Sequence, residues 1–403
     1  MLHRIAALAI CAPRRTLALT ALVMAVAGVF GAPVAQSLSA SGFQDPTSES
    51  ARAATILTDK FGQGEVQLLF VVSAPQGFDS PAARSVGTDI ADQLSRSPHV
   101  TSVTSAWTAP PAAATSLVSK DGLSGLVVAG IGGGETPSIM KAQKYADELS
   151  QQFAHDRNGV TVRSGGVAMV NAQITAQAQH DVLVMEAIAI PLSFVVLVWV
   201  FGGLFTAALP VAIGGMSILA SLAVLRLIAF ATDVSIFALN LTTALGLALA
   251  IDYTLLIVSR FRDEMAAGAT RDDALLRTMA TAGRTVLFSA TTVALSMAAM
   301  IQFPMHFLKS FGYAGIATVA FTAIAAVVMT PAAIVLLGDR LNALDVRRLV
   351  RRLAGRPRPA RKPVEDEFWY RSTNFVTRRA VPVGVAVVAV LLLLGAPFLG
   401  VRW

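Results

Sequence analysis

The sequence contains a single cysteine, Cys11, in 403 residues. This scarcity excludes an internal disulfide and any site that needs several thiolate ligands. No glycine is followed by lysine, so a Walker A loop is absent and ATP hydrolysis by this chain is not expected. The five histidines are scattered without the spacing of a metal site. The sequence therefore predicts no cofactor, no metal and no enzymatic activity.

Charged side chains are scarce as well. They make up 14% of the residues, against 54% for hydrophobic residues, and the mean hydropathy is +0.63. A soluble globule cannot bury so large an apolar fraction, so the composition indicates an α-helical polytopic membrane protein. The formal net charge of +7 does not indicate nucleic acid as a partner, because the basic residues do not cluster on a soluble module.

About seven apolar runs are long enough to cross the roughly 30 Å hydrocarbon core of a bilayer. They fall at about 16–38, 182–201, 205–228, 236–259, 284–303, 311–337 and 380–400. The first run has a basic flank and small residues at 31–37, as a cleaved signal peptide would. Its apolar run is longer than that of a usual signal peptide, so we interpret it as the first span and leave cleavage open.

Basic residues predict the orientation, because short cytoplasmic loops carry an excess of Lys and Arg. They concentrate in the N-terminus 1–15, the elbow 260–283 and the linker 338–379, whereas the short loops on the other side carry Lys309 as their one clear loop cation. These three segments are therefore predicted to be cytoplasmic, in a bacterial plasma (inner) membrane. The linker is either a topology signal alone or a binding segment for anionic membrane lipids.

One long polar insertion, 39–181, lies between the first two spans and is predicted to be extracytoplasmic. Its pattern of apolar runs and amphipathic stretches has the order β-α-β-β-α-β, which is that of the ferredoxin-like split βαβ unit. The polar stretch after 171 then continues without a breaker into the second span. A single helix there would either transmit motion between insertion and membrane or act as a rigid connector.

An ionisable residue, Asp252, lies deep in the fourth span beside Tyr253. A carboxylate inside the bilayer is costly and is by default a functional-site hypothesis. Desolvation disfavours its charged form, so it can alternate between protonated and ionised states, as a proton relay requires. The alternative is a hydrogen-bonded structural aspartate.

The neighbouring segments supply further candidates. The fifth span carries Ser289, Thr291, Thr292 and Ser296, whose hydroxyls either bond across to the fourth span or to their own i−4 carbonyls. In the elbow, Thr270 and Asp273 have the spacing of a capping box. An apolar stripe of Leu275, Leu276 and Met279 is expected to lie along the membrane surface.

These stretches resemble a known family. The segments TTALGLALAIDYTLLIVSRFRDE (242–264), GRTVLFSATTVALSMAAMIQFPMHFLKSFGYAGIA (283–317) and TPAAIVLLGDRL (330–341) are similar to the mycobacterial membrane protein large (MmpL) family of the resistance-nodulation-division (RND) superfamily. The resemblance covers nearly the whole chain, in order. It implies that 39–181 is a porter-like domain forming half of a substrate path.

The resemblance also implies an activity, the proton-motive-force-driven export of lipids or other hydrophobic molecules. Asp252 and Tyr253 match the family's proton-relay pair, and Ser289 matches a hydroxyl that supports it. The family pattern has two such halves, so 380–403 is predicted to begin a second half, and a separate C-terminal half or a homo-oligomer is an expected partner. Two alternatives remain open: a drug efflux component of the same superfamily, and a non-transporting lipid-sensing or scaffold protein.

Overall fold

The computed structural model describes residues 2–38, 42–43, 45–61, 66–131, 136–157, 159–232, 234–338 and 368–400. The chain divides into two units, Met1–Asp345 and Val346–Trp403. Most of the predicted basic linker 338–379 lies outside the described residues.

The first unit combines a four-stranded sheet domain with a helix bundle. In chain order its elements are α1 (Leu2–Cys11), α2 (Pro13–Gly31), α3 (Glu49–Phe61), β1 (Val66–Ser73), α4 (Pro81–Ser95), β2 (Val100–Ser105), α5 (Pro111–Ala114), β3 (Ser124–Ile131), α6 (Thr136–Phe153), β4 (Thr161–Gly165), α7 (Val167–Phe201), α8 (Leu204–Ala229), α9 (Phe237–Ala266), α10 (Arg271–Thr278), α11 (Arg284–Ala299) and α12 (His306–Leu337). The second unit contains α13 (Phe368–Arg378) and α14 (Ala380–Gly395).

Seven helical segments of the described residues are long and apolar enough to cross a membrane. They are Pro13–Val34, Val167–Phe201, Leu204–Ala229, Phe237–Ala266, Arg271–Gln302, His306–Leu337 and Ala380–Phe398. The polytopic membrane class predicted from composition is therefore confirmed. The fourth helix extends beyond the predicted 236–259 into the elbow, because the sequence from 260 to 266 contains neither Gly nor Pro to end it.

The sheet domain has the strand order β2-β3-β1-β4, with every neighbouring pair antiparallel. This is the strand order of the split βαβ unit that the sequence predicts. Strand β1 alternates in burial, so that Leu68, Phe70 and Val72 face the core. Helix α4 begins at Ser80, whose hydroxyl accepts a hydrogen bond from the Ala83 amide, as expected of an N-cap.

Helix α7 connects the sheet domain to the bundle without a break. It begins after Gly166, whose φ of +90° and close approach to the Gln67 carbonyl oxygen favour glycine. Its first turn contributes Ala168 and Met169 to the core of the sheet domain, and Ala178 already belongs to a core cluster of the bundle. The continuous helix predicted from the polar stretch after 171 is thus present.

The bundle is built around α12, which packs along α8, α9 and α11. The end of the bundle next to the sheet domain is called the domain end, and the end next to α10 is called the elbow end. Helix α2 packs closely on α8, because Gly31 leaves no side chain between itself and the backbone of Leu222 and Ala223. Small residues at helix contacts allow this approach in membrane bundles.

The elbow differs from its predicted arrangement. Thr270 caps α10, since its hydroxyl accepts from the Asp273 amide and donates to the Asp273 carboxylate. Leu275 and Met279, however, are fully buried in a cluster with Ala6 of α1 and Ile334 of α12. The prediction of an apolar stripe on the membrane surface is therefore wrong. The residues that cover it lie at distant points of the sequence, and α1 itself lies in the segment predicted only as a cytoplasmic N-terminus.

Candidate functional site

The predicted relay pair lies in the middle of α9, and its two side chains differ in environment. Tyr253 is 4% exposed, whereas Asp252 is exposed on the bundle surface. Consecutive residues of a helix point about 100° apart. The stripe of Tyr253 continues through the buried residues Thr242 and Gly246, while the stripe of Asp252 continues through the exposed Leu256.

Tyr253 packs among small and branched apolar residues of three helices. Its core cluster includes Ile257 of α9, Ala290 of α11, and Ala323 and Ala326 of α12. The Tyr253 hydroxyl oxygen is itself buried and has no hydrogen-bond partner among the described residues. A buried polar group in this position has to be matched by water or by a partner group.

Ser289 of α11 lies beside the Tyr253 phenol, near enough to interact with it, and Asp252 is the charged group that acts on the same phenol. The contact between Ser289 and Tyr253 does not meet hydrogen-bond geometry. The structure therefore brings all three residues of the predicted site together, with Tyr253 between the other two.

The other hydroxyls considered on the fifth span have a different arrangement. Thr291 and Thr292 donate to the carbonyls of Leu287 and Phe288, four residues earlier in α11. Both side chains are exposed, as is that of Ser296. The second of the two interpretations, bonding to the helix's own carbonyls, is confirmed for Thr291 and Thr292.

Asp252 is not covered by the helices of its own bundle. An aspartate that faces hydrocarbon at the centre of a span costs on the order of 3 kcal/mol on insertion scales. The packing of the described residues leaves Asp252 on the bundle surface, and its desolvation at this depth of the membrane stays a prediction. A polar protein surface or water that faces α9 at this point would offset this free-energy cost.

Two features near α9 were not predicted from the sequence. Glu264 is 9% exposed and lies between two guanidinium groups, with the Arg260 Nη2 at 2.6 Å and the Arg277 Nη1 at 3.6 Å from its carboxylate. The i, i+4 spacing of Arg260 and Glu264 is a signal that could have been used. The second feature is a set of buried hydroxyls that includes Thr254 and Thr330. Their position in apolar helices was visible in the sequence, but the absence of a hydrogen-bond partner among the described residues was not.

The described residues contain no group of three or more His, Cys, Asp or Glu side chains that could hold a metal ion. The chemistry available at Asp252 and Tyr253 is therefore that of a carboxyl group and a phenol. Both groups can accept and return a proton.

Seven apolar helices and a split βαβ domain inserted between the first two of them define a multi-pass membrane protein. The sequence profile of the MMPL family matches residues 42–383, and the chain belongs to this family. The chain is 34% identical over 394 residues to the trehalose monomycolate exporter MmpL3 of Mycobacterium tuberculosis, an alignment that covers 92% of this chain and 41% of that protein.

Other relatives carry similar names. MmpL3 of Mycolicibacterium smegmatis, also named as a trehalose monomycolate exporter, is 31% identical over 92% of this chain and 39% of its own length. The mycolic acid-containing lipids exporter MmpL11 of the same organism is 32% identical over 58% of this chain and 24% of its own length. The chain thus spans less than half the length of these relatives. Their names describe transporters of lipids and not enzymes.

Proposed function

We propose that this chain forms one half of a proton-driven exporter of lipids or other hydrophobic molecules in the bacterial plasma membrane. Asp252 and Tyr253 are its half of the proton relay, and Ser289 supports the pair. In this arrangement 1–15 lies in the cytoplasm and 39–181 is the extracytoplasmic porter-like domain. The observation that carries the proposal is the exposure of Asp252 on α9 beside the buried Tyr253.

The energetics support a relay at this position. A permanent charge on Asp252 facing hydrocarbon is unfavourable, and a proton removes that charge. A surface that supplies a polar partner favours the ionised form instead. Binding and release of one proton can therefore change how α9 packs against the facing surface. Each proton that crosses the membrane supplies about 2.3 kcal/mol per 100 mV of potential.

Helix α7 is the element that would pass this movement to the porter-like domain. It is one unbroken helix of 35 residues, with its first turn in the core of the sheet domain and Ala178 in the core of the bundle. A shift of the bundle therefore displaces the start of α7 together with the sheet. The relatives named as lipid exporters support a lipid as the cargo.

The proposal is tested by export of labelled lipid from energised cells that lack their own exporter. These cells express the chain alone or with a matching second half, with Asp252 intact or replaced in Asp252→Asn. Asp263→Asn is the matched control, because Asp263 is exposed on the same helix about 17 Å closer to its elbow end.

We expect export only with both halves, loss of export in Asp252→Asn and in the presence of a protonophore, and normal export in Asp263→Asn. Export that is insensitive to the protonophore and unchanged in Asp252→Asn would contradict the relay. Lipid binding without export in every combination would support a lipid-sensing or scaffold protein instead.

A further inference from the structure

Several threonines in the bundle lack the hydrogen bond that threonines of apolar helices usually donate to their own helix. A threonine in such a helix normally donates its hydroxyl to the carbonyl four residues earlier, as Thr20, Thr281 and Thr292 do in this chain. In α9 and α12, four fully buried threonines have no hydrogen-bond partner among the described residues. They are Thr242 and Thr254 of α9 and Thr318 and Thr330 of α12.

These four oxygens and the Tyr253 hydroxyl have no hydrogen-bond partner within the described part of the chain. We call the five residues the hydroxyl seam. The free energy of leaving a buried hydroxyl unpaired is unfavourable, so native proteins satisfy such groups with ordered water when no side chain or carbonyl reaches them. Five such oxygens in one helix bundle are therefore candidate hydrogen-bond partners for water.

Helices α9 and α12 pack against each other, and the five residues lie on the buried sides of these two helices. Thr318 faces Gly246, where a Cβ would lie 3.3 Å from the threonine methyl group, and Thr242 is one helical turn before Gly246 on the same stripe as Tyr253. Thr330 lies between Ala326 and Ile334 on the side of α12 that packs in the cluster of Tyr253. Thr254 occupies the buried arc of α9 between Ile257 and Val258.

The seam is long in the direction of the helix axes. Thr242 and Thr254 are twelve residues apart, as are Thr318 and Thr330, and each interval corresponds to about 18 Å of helix. This length is more than half of the roughly 30 Å hydrocarbon core. On α9, Tyr253 lies at the elbow end of the seam, one residue before Thr254, and is also the neighbour of Asp252.

We propose that the hydroxyl seam holds a file of water molecules between α9 and α12 and conducts protons between the Asp252–Tyr253 pair and the ends of the bundle. Each hydroxyl or water in the file receives one proton and passes on another, so that it is chemically unchanged after the transfer. The inference rests on the proposed function, and it places the proton path inside this bundle instead of along the exposed side of α9.

The first test measures water in the seam without measuring transport. In a Cys11→Ser background, single cysteines are introduced as Thr254→Cys and Thr330→Cys, with Val258→Cys and Val327→Cys as controls. These valines are buried on the same helices and nearly match threonine in shape. Membranes containing the full chain are treated with 2-aminoethyl methanethiosulfonate, which reacts with the thiolate that forms only where water reaches the thiol.

We expect the cysteines at 254 and 330 to react at least about tenfold faster than those at 258 and 327. Equal rates at all four positions would overturn the proposal, whatever the transport activity. The second test uses Thr254→Val and Thr330→Val, which remove the hydroxyl, and Thr254→Ser and Thr330→Ser, which keep it. Thr292→Val is the control, because Thr292 donates to its own helix.

In a preparation with Asp252-dependent export, we expect proton uptake to fall about tenfold in the valine variants and to be retained in the serine variants and in Thr292→Val. Unchanged proton uptake in the valine variants would overturn the proton path and leave the relay at Asp252 intact. If Asp252→Asn itself had no effect, the proposed function would fail, while the cysteine reactivity would still decide whether the seam contains water.

Discussion

Asp252 and Tyr253 are consecutive residues whose side chains lie in opposite surroundings, the carboxylate exposed on the bundle surface and the phenol 4% exposed in its core. The phenol interacts with both the neighbouring carboxylate and Ser289. A proton that binds at Asp252 is therefore one residue away from the interior of the bundle. This divergence connects an exposed titratable group to buried hydroxyls.

The Tyr253 hydroxyl should be dispensable for folding but not for transport. Its oxygen has no hydrogen-bond partner among the described residues, so Tyr253→Phe removes a polar group without breaking a hydrogen bond to one of them. We expect an unchanged melting temperature in detergent and at least about a tenfold loss of proton-coupled export. Tyr253→Ala is the contrasting variant, because a cavity in the core costs about 3 kcal/mol or more. A fully active Tyr253→Phe variant would exclude Tyr253 from the relay.

Gly31 should be sensitive to the smallest substitution. A Cβ at this position would lie 2.6 Å from the Leu222 carbonyl carbon and would overlap the Ala223 amide nitrogen of α8. Because backbone atoms cannot move aside as a flexible side chain can, we expect Gly31→Ala to destabilise the bundle by about 1–3 kcal/mol.

Gly215 of α8 is the control for this substitution, since no atom lies within 4 Å of a Cβ built there. Gly215→Ala should be neutral or stabilising by up to about 1 kcal/mol, through helix propensity alone. Thermal unfolding of both variants in the same detergent compares them. Equal melting temperatures for the two variants would show that α2 does not approach α8 this closely.

The contributions of Arg260 and Arg277 to the free energy of unfolding should be coupled through Glu264. Replacing Arg260 or Arg277 alone leaves the buried carboxylate with one cation, so Arg260→Met and Arg277→Met should each cost about 1 kcal/mol. The double variant leaves Glu264 buried without either arginine. Its loss of stability should exceed the sum of the losses in the two single variants by about 1–2 kcal/mol. Unfolding of the four proteins gives this coupling, with the exposed Arg284 replaced as a control. Strict additivity would indicate that Glu264 does not need either arginine.

Asp121 of the sheet domain should contribute a pH-dependent stability. Hydrogen bonds from the Ser119 hydroxyl and then from the Leu123 amide, at 3.0 Å, lower the pKa of its carboxyl below the ordinary 3.8. A carboxyl whose pKa is lower in the folded state favours folding above the unfolded pKa, and this contribution is lost as the pH falls through the folded pKa.

A carboxyl NMR titration measures this pKa directly. We expect it below 3.8 in the parent chain and closer to 3.8 in Ser119→Ala, because the largest cause of the shift is removed. Asp121→Asn should abolish this part of the acid dependence of unfolding. A Ser119→Ala variant with the parent pKa would show that the turn does not form this hydrogen bond.

Features that depend on neighbouring residues were predictable from the sequence. Thr270 was identified as a helix cap because a cap needs only a side chain and the amide a few residues later. The apolar run at Val66–Ser73 and the length of the longer apolar runs were sufficient for this strand and for the spans. Asp252 and Tyr253 were identified by their rarity at such a position.

Features that depend on contacts between distant parts of the chain were not. The apolar stripe of Leu275 and Met279 is compatible with a lipid contact and with a protein contact. In the structure it packs against Ala6 of α1 and Ile334 of α12, which lie far from it in the sequence. In the same way, no local rule states whether a threonine donates to its own helix, as Thr292 does, or faces a seam, as Thr254 does.

The sequence alone determined that this chain is a membrane protein with seven apolar helices, an inserted split βαβ domain and an intramembrane carboxylate at Asp252, because the length, the period and the capping of an element are set by consecutive residues. Only the tertiary structure decided that Asp252 faces outward while Tyr253 is buried against α11 and α12, and that five hydroxyls of α9 and α12 are buried without a partner among the described residues. The rotation of each helix is set by its packing against helices elsewhere in the chain, since burial is a property of the assembled bundle.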